Sequence, residues 1–251
     1  MKAIILAAGK GKRMGSETDN KHKCMVKFKG KAIIDYTLET FKGCGIDDII
    51  IVNGYKKDIL KTYLGNKNIK YITNKDFDRT NMVYSLFCAE PQMNDDLIVS
   101  YSDIIFNNQI LLKLIDDKND FVVTVDKNWL ELWKLRMGDP LSDAETMKIT
   151  HDDFITDLGR TPNSYHEIQG QYIGLIKISK SIIELIKEFY HSLDKKILYD
   201  GQTFDDMYMT SFIRLIIDKV SSVKANIING GWLEFDTKND LEVYTNNKIS
   251  I

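Results

Sequence analysis

Three glycines break the chain directly after the apolar run at residues 3–8. In MKAIILAAGKGKRMG, Gly9, Gly11 and Gly15 alternate with the cations Lys10, Lys12 and Arg13. Glycine lets a backbone turn tightly and approach a ligand closely. Successive free N–H groups in such a loop form a concavity for anions, and lysine and arginine add full charges. The chemistry this predicts is a phosphate cradle for a nucleotide. The plain alternative is a strand-to-loop turn with solvated lysines. Spacing excludes two familiar phosphate loops. No Lys-Ser or Lys-Thr pair closes the loop as in G-x-x-x-x-G-K-[ST]. In G-x-G-x-x-G the third glycine would stand one position before Gly15.

Carboxylates form the second set. Asp103 ends the apolar run in DLIVSYSDIIF, where a charge is costly unless it has a task such as holding a metal. Glu234 and Asp236 in GWLEFDTKNDL are two positions apart and so face one side of a strand. Carboxylates from these two places would suit one Mg²⁺, which takes oxygen ligands beside waters and phosphates. The competing reading is structural, with Asp103 capping a turn and Asp236 serving as N-cap of a helix at TKNDLEVY.

The elements that must position these groups alternate through the first 125 residues. Compact apolar runs at AIILAA, DDIIIVNGY, IKYITN, DLIVSYSDIIF and DFVVTVD predict strands. Helical spacing at IIDYTLETFKGCG, KKDILKTYL, NMVYSLFCAEPQ and QILLKLIDDK predicts the helices between them. This rhythm predicts an α/β fold of Rossmann-like class, a mixed, mainly parallel sheet flanked by helices. Ligands in such sheets sit at the carboxyl ends of the strands. After Asp126 the pattern changes to short strands, polar turns, Pro140 and Pro162, which predicts a small antiparallel subregion. Helices follow at SIIELIKEFYHSL and MYMTSFIRLIIDKV. A last strand, turn and short helix are expected over VKANIINGGWLEFDTKNDLEVYTN. One domain is expected over 1–251, with a nucleotide-binding half at 1–125 and a second half at 126–251 that carries the C-terminal acids.

The bulk numbers narrow the class. Hydrophobic residues make up 43% and charged residues 28% of the 251, an ordinary globular balance. A net charge of -2 leaves no basic footprint for nucleic acid. The three cysteines, Cys24, Cys44 and Cys88, are scattered, which argues against both a zinc site and a disulfide framework. No stretch approaches a membrane span and the opening apolar run is too short for a secretory signal. A cytoplasmic setting is therefore expected.

The segment LAAGKGKRMG followed by KHKCMVKFKGKAIIDYTLETF resembles the nucleotidyltransferase family that makes NDP-sugars, CDP-alcohols and similar activated metabolites. That family carries a Gly-x-Gly-x-Arg loop, a lysine about ten residues on, an Asp at a later strand end and a second acid near the C-terminus. Gly9, Gly11, Arg13, Lys23, Asp103 and Asp236 stand at those positions. One departure is visible: the family's usual Lys-Pro is Lys23-Cys24, which implies a less rigid turn. DKNWLELWKLRMGDPLSDAETMKI, EIQGQYIGLIKIS and DDMYMTSF, with Thr80, Asn81, Met82 and Ser85 of TNMVYSL, narrow the resemblance. They are similar to the cytidylyltransferase branch that activates phosphocholine, aminoethylphosphonate or, nearest by eye, the phosphoglutamine used in capsule phosphoramidate synthesis.

The resemblance implies a nucleotide-diphospho-sugar transferase-like fold. The implied reaction is a single displacement, in which an acceptor phosphate or phosphonate attacks the α-phosphorus of CTP and pyrophosphate leaves. It gives Arg13 and Lys23 catalytic roles in neutralising charge. It assigns nucleotide binding to Leu6, Ala7, Ala8, Gly9, Gly11, Lys12, Asn53, Gly54, Tyr55, Asn81, Ser85 and Ser102. Asn53-Gly54 also reads as a plain turn. Mg²⁺ would sit on Asp103, Glu234 and Asp236. For the acceptor, Trp129 and Trp133 share a helix face and suit either cation–π binding of an ammonium or simple core packing. Asp126, Glu131, Asp143, Glu145 and Glu167 are candidate ammonium partners, and Gln169, Tyr172 and Tyr208 are further polar candidates. Together they predict a small zwitterionic acceptor. A monomer or homodimer is expected, with no nucleic-acid or membrane partner. The rival readings are a sugar-1-phosphate nucleotidyltransferase and a nucleotide-binding regulatory protein without turnover.

Overall fold

The computed structural model describes residues 1–65, 67–247 and 249. In chain order its strands are β1 (Lys2–Ala7), β2 (Lys27–Phe28), β3 (Lys31–Ala32), β4 (Ile49–Asn53), β5 (Ile69–Thr73), β6 (Leu97–Tyr101) and β7 (Ile104–Phe106). They continue with β8 (Phe121–Asp126), β9 (Met147–Ile149), β10 (Phe154–Leu158), β11 (Gln171–Ile178), β12 (Val223–Ile228) and β13 (Trp232–Glu234). The helices are α1 (Ile33–Gly43), α2 (Lys57–Leu64), α3 (Met82–Cys88), α4 (Asn108–Asp116), α5 (Trp129–Arg136), α6 (Ile183–Ser192), α7 (Met209–Lys219) and α8 (Lys238–Asn246).

Among the described residues one sheet of nine strands runs in the order β5-β4-β1-β6-β11-β8-β12-β10-β9. The fold is the mixed, mainly parallel α/β architecture expected. β1 pairs in parallel with β4 and β6, and β12 pairs in parallel with β8. Period-2 alternation sorts each strand's side chains onto opposite faces. Ile4 and Leu6 of β1 join one core cluster, while Ala3, Ile5 and Ala7 join another. A third cluster, with Met14, Val26, Phe28, Phe235 and Tyr244, fastens the segment after β1 to the C-terminal helix.

β11 from the second half inserts between β6 and β8, antiparallel to both. Two details differ from the sequence reading. The run DLIVSYSDIIF is not one strand. It leaves the main sheet after Tyr101, and β7 then pairs antiparallel with β13. The C-terminal segment thus holds two strands, β12 and β13, rather than one. This short ribbon positions the site: Ile104 pairs with Glu234, and the Phe235 N–H donates to the Asp103 carbonyl at 2.9 Å. Acids more than a hundred residues apart in sequence are therefore brought opposite each other.

Candidate active site

The glycine loop opens at the carboxyl end of β1. Gly11 has φ 60°, and a Cβ there would meet the Lys23 Cβ at 2.8 Å. Both the left-handed backbone and the close approach of Lys23 require glycine. The Thr18 hydroxyl is within reach of the Gly15 and Gly11 carbonyls, at 3.1 and 3.3 Å. Lys56 Nζ donates to the Thr18 carbonyl at 2.9 Å and ties the far side of the loop down.

Lys23 begins a short turn fixed by its neighbours. His22 Nδ1 accepts from the Cys24 N–H at 3.2 Å. Burial lowers the His22 pKa to about 4, so the ring is neutral at pH 7 and free to accept. The expected looseness at Lys23-Cys24 is thus offset by a hydrogen bond that proline, lacking an N–H, could not make. Lys23 Nζ lies 2.6 Å from Asp103 Oδ2 and 2.7 Å from Asp236 Oδ1. All three side chains are nearly buried. Burial alone would lower the lysine pKa, but the charges of Asp103 and Asp236 outweigh it and hold it above the usual range. Burial likewise opposes ionisation of Asp236, and the Lys23 charge overcomes it and holds this carboxyl below its ordinary value. Arg13 Nη2, more exposed, reaches Asp236 Oδ1 at 3.1 Å.

Asp236 does not cap α8. That task falls to Thr237, in a reciprocal capping box with Asp240. Asp103 Oδ1 is buried with no hydrogen-bond partner among the described residues. Two carboxylates from separate elements, oxygen-only, with one oxygen unsatisfied, form a donor set that suits a hard divalent cation. Glu234 is turned elsewhere. Its Oε2 accepts from Arg136 Nη1 at 2.6 Å, and among the described residues no group of three acidic, histidine or cysteine side chains is poised to hold a metal. Burial and the Asp236 charge raise the Glu234 pKa, against the pull of Arg136.

Two cavities meet here. The first, about 330 Å³, is lined by Leu6, Ala8, Gly9, Gly11, Lys12, Arg13, Lys23, Asn81, Ser85, Ser102, Asp103, Glu234 and Asp236 of the predicted set, with Thr80 and Met82. The second, about 190 Å³, includes Trp133, Asp143, Glu145, Tyr172 and Tyr208. Arg13, Asn81, Met82, Tyr101, Glu234 and Asp236 border both.

Other predicted residues lie outside these cavities. Ala7 is buried in the core beneath the loop. Asn53 is fully buried, and its Oδ1 accepts from the Thr73 hydroxyl at 2.9 Å. A Cβ on Gly54 would strike Phe77 and the Ala8 carbonyl, and Tyr55 leans on Phe77 with ring centroids 6.2 Å apart. These three residues therefore support the cavity wall from behind. Asp126 accepts from the Gly230 N–H and the Trp232 indole N–H. Glu167 accepts from the Asn163 N–H, and Gln169 from the Ile149 N–H. Glu131 lies exposed on α5 and borders neither cavity. Trp129 is 4% exposed and packs edge-on against Trp133. Only Trp133 reaches the second cavity, and the Arg136 guanidinium sits 5.0 Å from its ring centre.

Several contributors were not anticipated. His22, Phe77 and Tyr101 line the first cavity, and Gln171 and Thr210 line the second. Arg136 is the least legible. It is fully buried, donates to Asp240 Oδ1 at 3.0 Å and to Glu234, and has Nη2 3.7 Å from Asp236. In WLELWKLR it reads as one more surface cation.

Comparison with known proteins agrees with this geometry. Over 250 residues the chain is 45% identical to the CTP:phosphoglutamine cytidylyltransferase of Campylobacter jejuni, covering 97% of this chain and 98% of that protein. It is 33% identical to the choline-phosphate cytidylyltransferase of Streptococcus pneumoniae over 43% of this chain and 47% of that one. The fold superposes on an inositol-1-phosphate CTP transferase from T. maritima with TM-score 0.74 and 20% identity, covering 100% of this chain and 97% of that one. Residues 3–189 match the MobA-like NTP transferase domain. With its glycine loop, its lysine and its two facing aspartates gathered at one cleft, the chain is a nucleotidyltransferase and belongs to the MobA-like NTP transferase family.

Proposed function

We propose that this chain transfers CMP from CTP to a small phosphorylated amino compound, phosphoglutamine foremost, and releases pyrophosphate. One observation carries the reading. A nucleotide-sized cavity over the glycine loop and a smaller acidic cavity share a wall of Arg13, Asn81, Tyr101, Glu234 and Asp236, with the Lys23 ammonium beside that wall. The near-full-length likeness to a CTP:phosphoglutamine cytidylyltransferase supports the same acceptor class.

The chemistry is a single displacement. An acceptor phosphate oxygen forms a new bond to the α-phosphorus, and the bond from that phosphorus to the bridging oxygen breaks. The electron pair leaves on pyrophosphate, and no side-chain nucleophile is required. Two anions must approach, so catalysis is charge neutralisation and positioning. The N–H groups around Gly9 and Gly11 cradle the triphosphate, with Lys12 beside them. Arg13 offers a planar fork to phosphate oxygens, and Lys23 supplies a compact charge where the two phosphates meet. Leu6, Ala8, Gly9, Asn81 and Ser85 frame the nucleoside. Asp103 and Asp236 would hold Mg²⁺, which when bound neutralises phosphate charge. Among the described residues no helix is long and apolar enough to cross a membrane, and we assign the protein to the cytoplasm, with CTP.

A pyrophosphate-release assay tests the proposal. It pairs CTP, UTP, ATP, GTP and dTTP with phosphoglutamine, phosphocholine, aminoethylphosphonate and glucose-1-phosphate. Turnover should need CTP, Mg²⁺ and an amino-bearing phosphate. Turnover of the hexose phosphate alone would replace this reading with that of a sugar-1-phosphate enzyme.

A further inference from the structure

Of the carboxylates that line the acceptor-side cavity, three already have N–H or cationic partners. Asp236 pairs with Lys23 and Arg13. Glu234 pairs with Arg136. Asp143 Oδ2 accepts from the Trp133 indole N–H at 3.2 Å. Glu145 differs. It has no lysine, arginine or histidine nitrogen within 4 Å among the described residues, and its Oε1 accepts only from the Thr210 hydroxyl at 3.3 Å.

The backbone of Glu145 is nonetheless held firmly. Its N–H donates to Gln171 Oε1 at 3.0 Å, and its carbonyl accepts from Gln171 Nε2 at 2.6 Å. Gln171 is 4% exposed and sits in the central strand β11. A two-point amide clamp on a rigid strand fixes where this carboxylate projects. Tyr172 Oη, buried and without a partner among the described residues, borders the same cavity. A carboxylate that is partly shielded from water and lacks a counter-ion costs free energy until a cation joins it. Burial accordingly raises the Glu145 pKa to about 7, with the Thr210 hydrogen bond opposing the rise.

The tryptophan of this cavity is already engaged by a cation. The ring of Trp133 carries Arg136 at 5.0 Å, and that arginine is locked by Glu234 and Asp240. A quaternary ammonium, which cannot donate hydrogen bonds, would share Trp133 with a buried guanidinium or be left to the tyrosines Tyr101, Tyr172 and Tyr208. A protonated primary amine brings N–H donors that Glu145 can accept.

We propose that Glu145 selects the acceptor by binding a protonated primary amine, and that Gln171 is the positioning residue that holds Glu145 in place. This rests on the cytidylyl-transfer reading and adds the group by which the acceptor is chosen.

Calorimetric titration tests it. The probes are phosphoglutamine, phosphoglutamine lacking its α-amino group, and phosphocholine. Each is titrated into the chain saturated with a CTP analogue that cannot release pyrophosphate. The wild type should bind the amine-bearing compound about tenfold or more tightly than the deaminated one, the scale of a hydrogen bond to a charged group. Glu145→Gln should erase that preference and leave affinity for the deaminated probe unchanged. Glu145→Asp should restore part of it. Gln171→Met should reduce the preference without abolishing binding of the deaminated probe. A Glu145→Gln variant that keeps the preference, or weakens both probes equally, overturns the proposal, as does phosphocholine binding more tightly than phosphoglutamine. If the binding pattern holds but CTP yields no pyrophosphate, the reaction assignment fails and the amine site stands.

Discussion

On the nucleotide side of the cleft, Gly9, Gly11, Lys12, Arg13 and Lys23 come from one short stretch of chain. On the acceptor side, Trp133, Glu145, Gln171, Tyr208 and Thr210 come from a helix, a loop, a central strand and the start of another helix. The first side uses backbone N–H groups and glycine conformations, which depend on local sequence. The second uses side chains whose meeting depends on sheet order. A glycine loop threaded with cations can therefore be read from spacing alone. An acceptor pocket cannot, because its members are neighbours only once β11 has inserted beside β8.

Substitutions can break or sharpen this contrast. The largest effect belongs to Lys23. Lys23→Ala removes the cation between Asp103 and Asp236 and should lower the maximal rate by about a hundredfold or more, the scale of one lost preorganised electrostatic contact. It should also lower stability by about 3–5 kcal/mol, because buried carboxylates lose their partner. Lys21→Ala, whose cation pairs only with Glu17 in the turn, should behave like wild type. Steady-state kinetics and thermal melts of both variants check this, and equal, mild effects would remove Lys23 from the catalytic machinery.

Arg136→Met probes the acceptor side. It strands Glu234 and Asp240 without their guanidinium and should cost about 3–5 kcal/mol, the scale for breaking a buried ion pair. Urea unfolding reads this. A melt like that of wild type would show the network to be dispensable.

Next come two glycines of one loop. Gly11→Ala should depress turnover strongly, since the new methyl meets Lys23 at 2.8 Å in a left-handed backbone. Gly9→Ala, with no protein atom within 4 Å of its added methyl, should keep a melting temperature near that of wild type, a stability change within about 0.5 kcal/mol, where Gly11→Ala should lose stability. Matching losses at both glycines would mean that the cradle depends on flexibility rather than on space for Lys23.

A last expected effect is a pH slope. Glu145 holds its proton more tightly folded than unfolded, its pKa rising to about 7 from 4.5. Between those values the native state binds the extra proton, so stability falls as pH rises. Asp143 and Asp200 reinforce this, while Arg214 and the Thr210 hydroxyl oppose it. Glu145→Gln should flatten that part of the slope in thermal melts between about pH 5 and 7. The Lys23 and Asp236 contributions lie outside this window. The raised lysine pKa is lost only above its ordinary 10.5, and the lowered Asp236 pKa only below 3.8.

The strands of the nucleotide half were legible because a buried parallel strand is a continuous apolar run, as in β1, β4 and β8. The break at Ser102–Asp103 was not, since apolar residues resume at Ile104–Phe106 and DLIVSYSDIIF reads as one strand across a change of sheet. The role of Asp236 was readable as one of two choices, and the capping box of Thr237 with Asp240 removes the N-cap reading. Trp129 and Trp133 were readable as a pair on one helix face, but which ring reaches the cavity depends on what packs behind α5.

The sequence by itself determined the glycine loop with its cations and the alternating architecture, because turn chemistry and hydrophobic period act over a few residues. The tertiary structure decided three things. The β7–β13 ribbon sets Asp103 against Asp236. Arg136 takes Glu234 and the face of Trp133. Gln171 places Glu145 in the second cavity, where among the described residues no lysine, arginine or histidine nitrogen lies within 4 Å of it. Each depends on contacts between residues far apart in the chain, and such contacts leave no period or spacing in the sequence from which to read them.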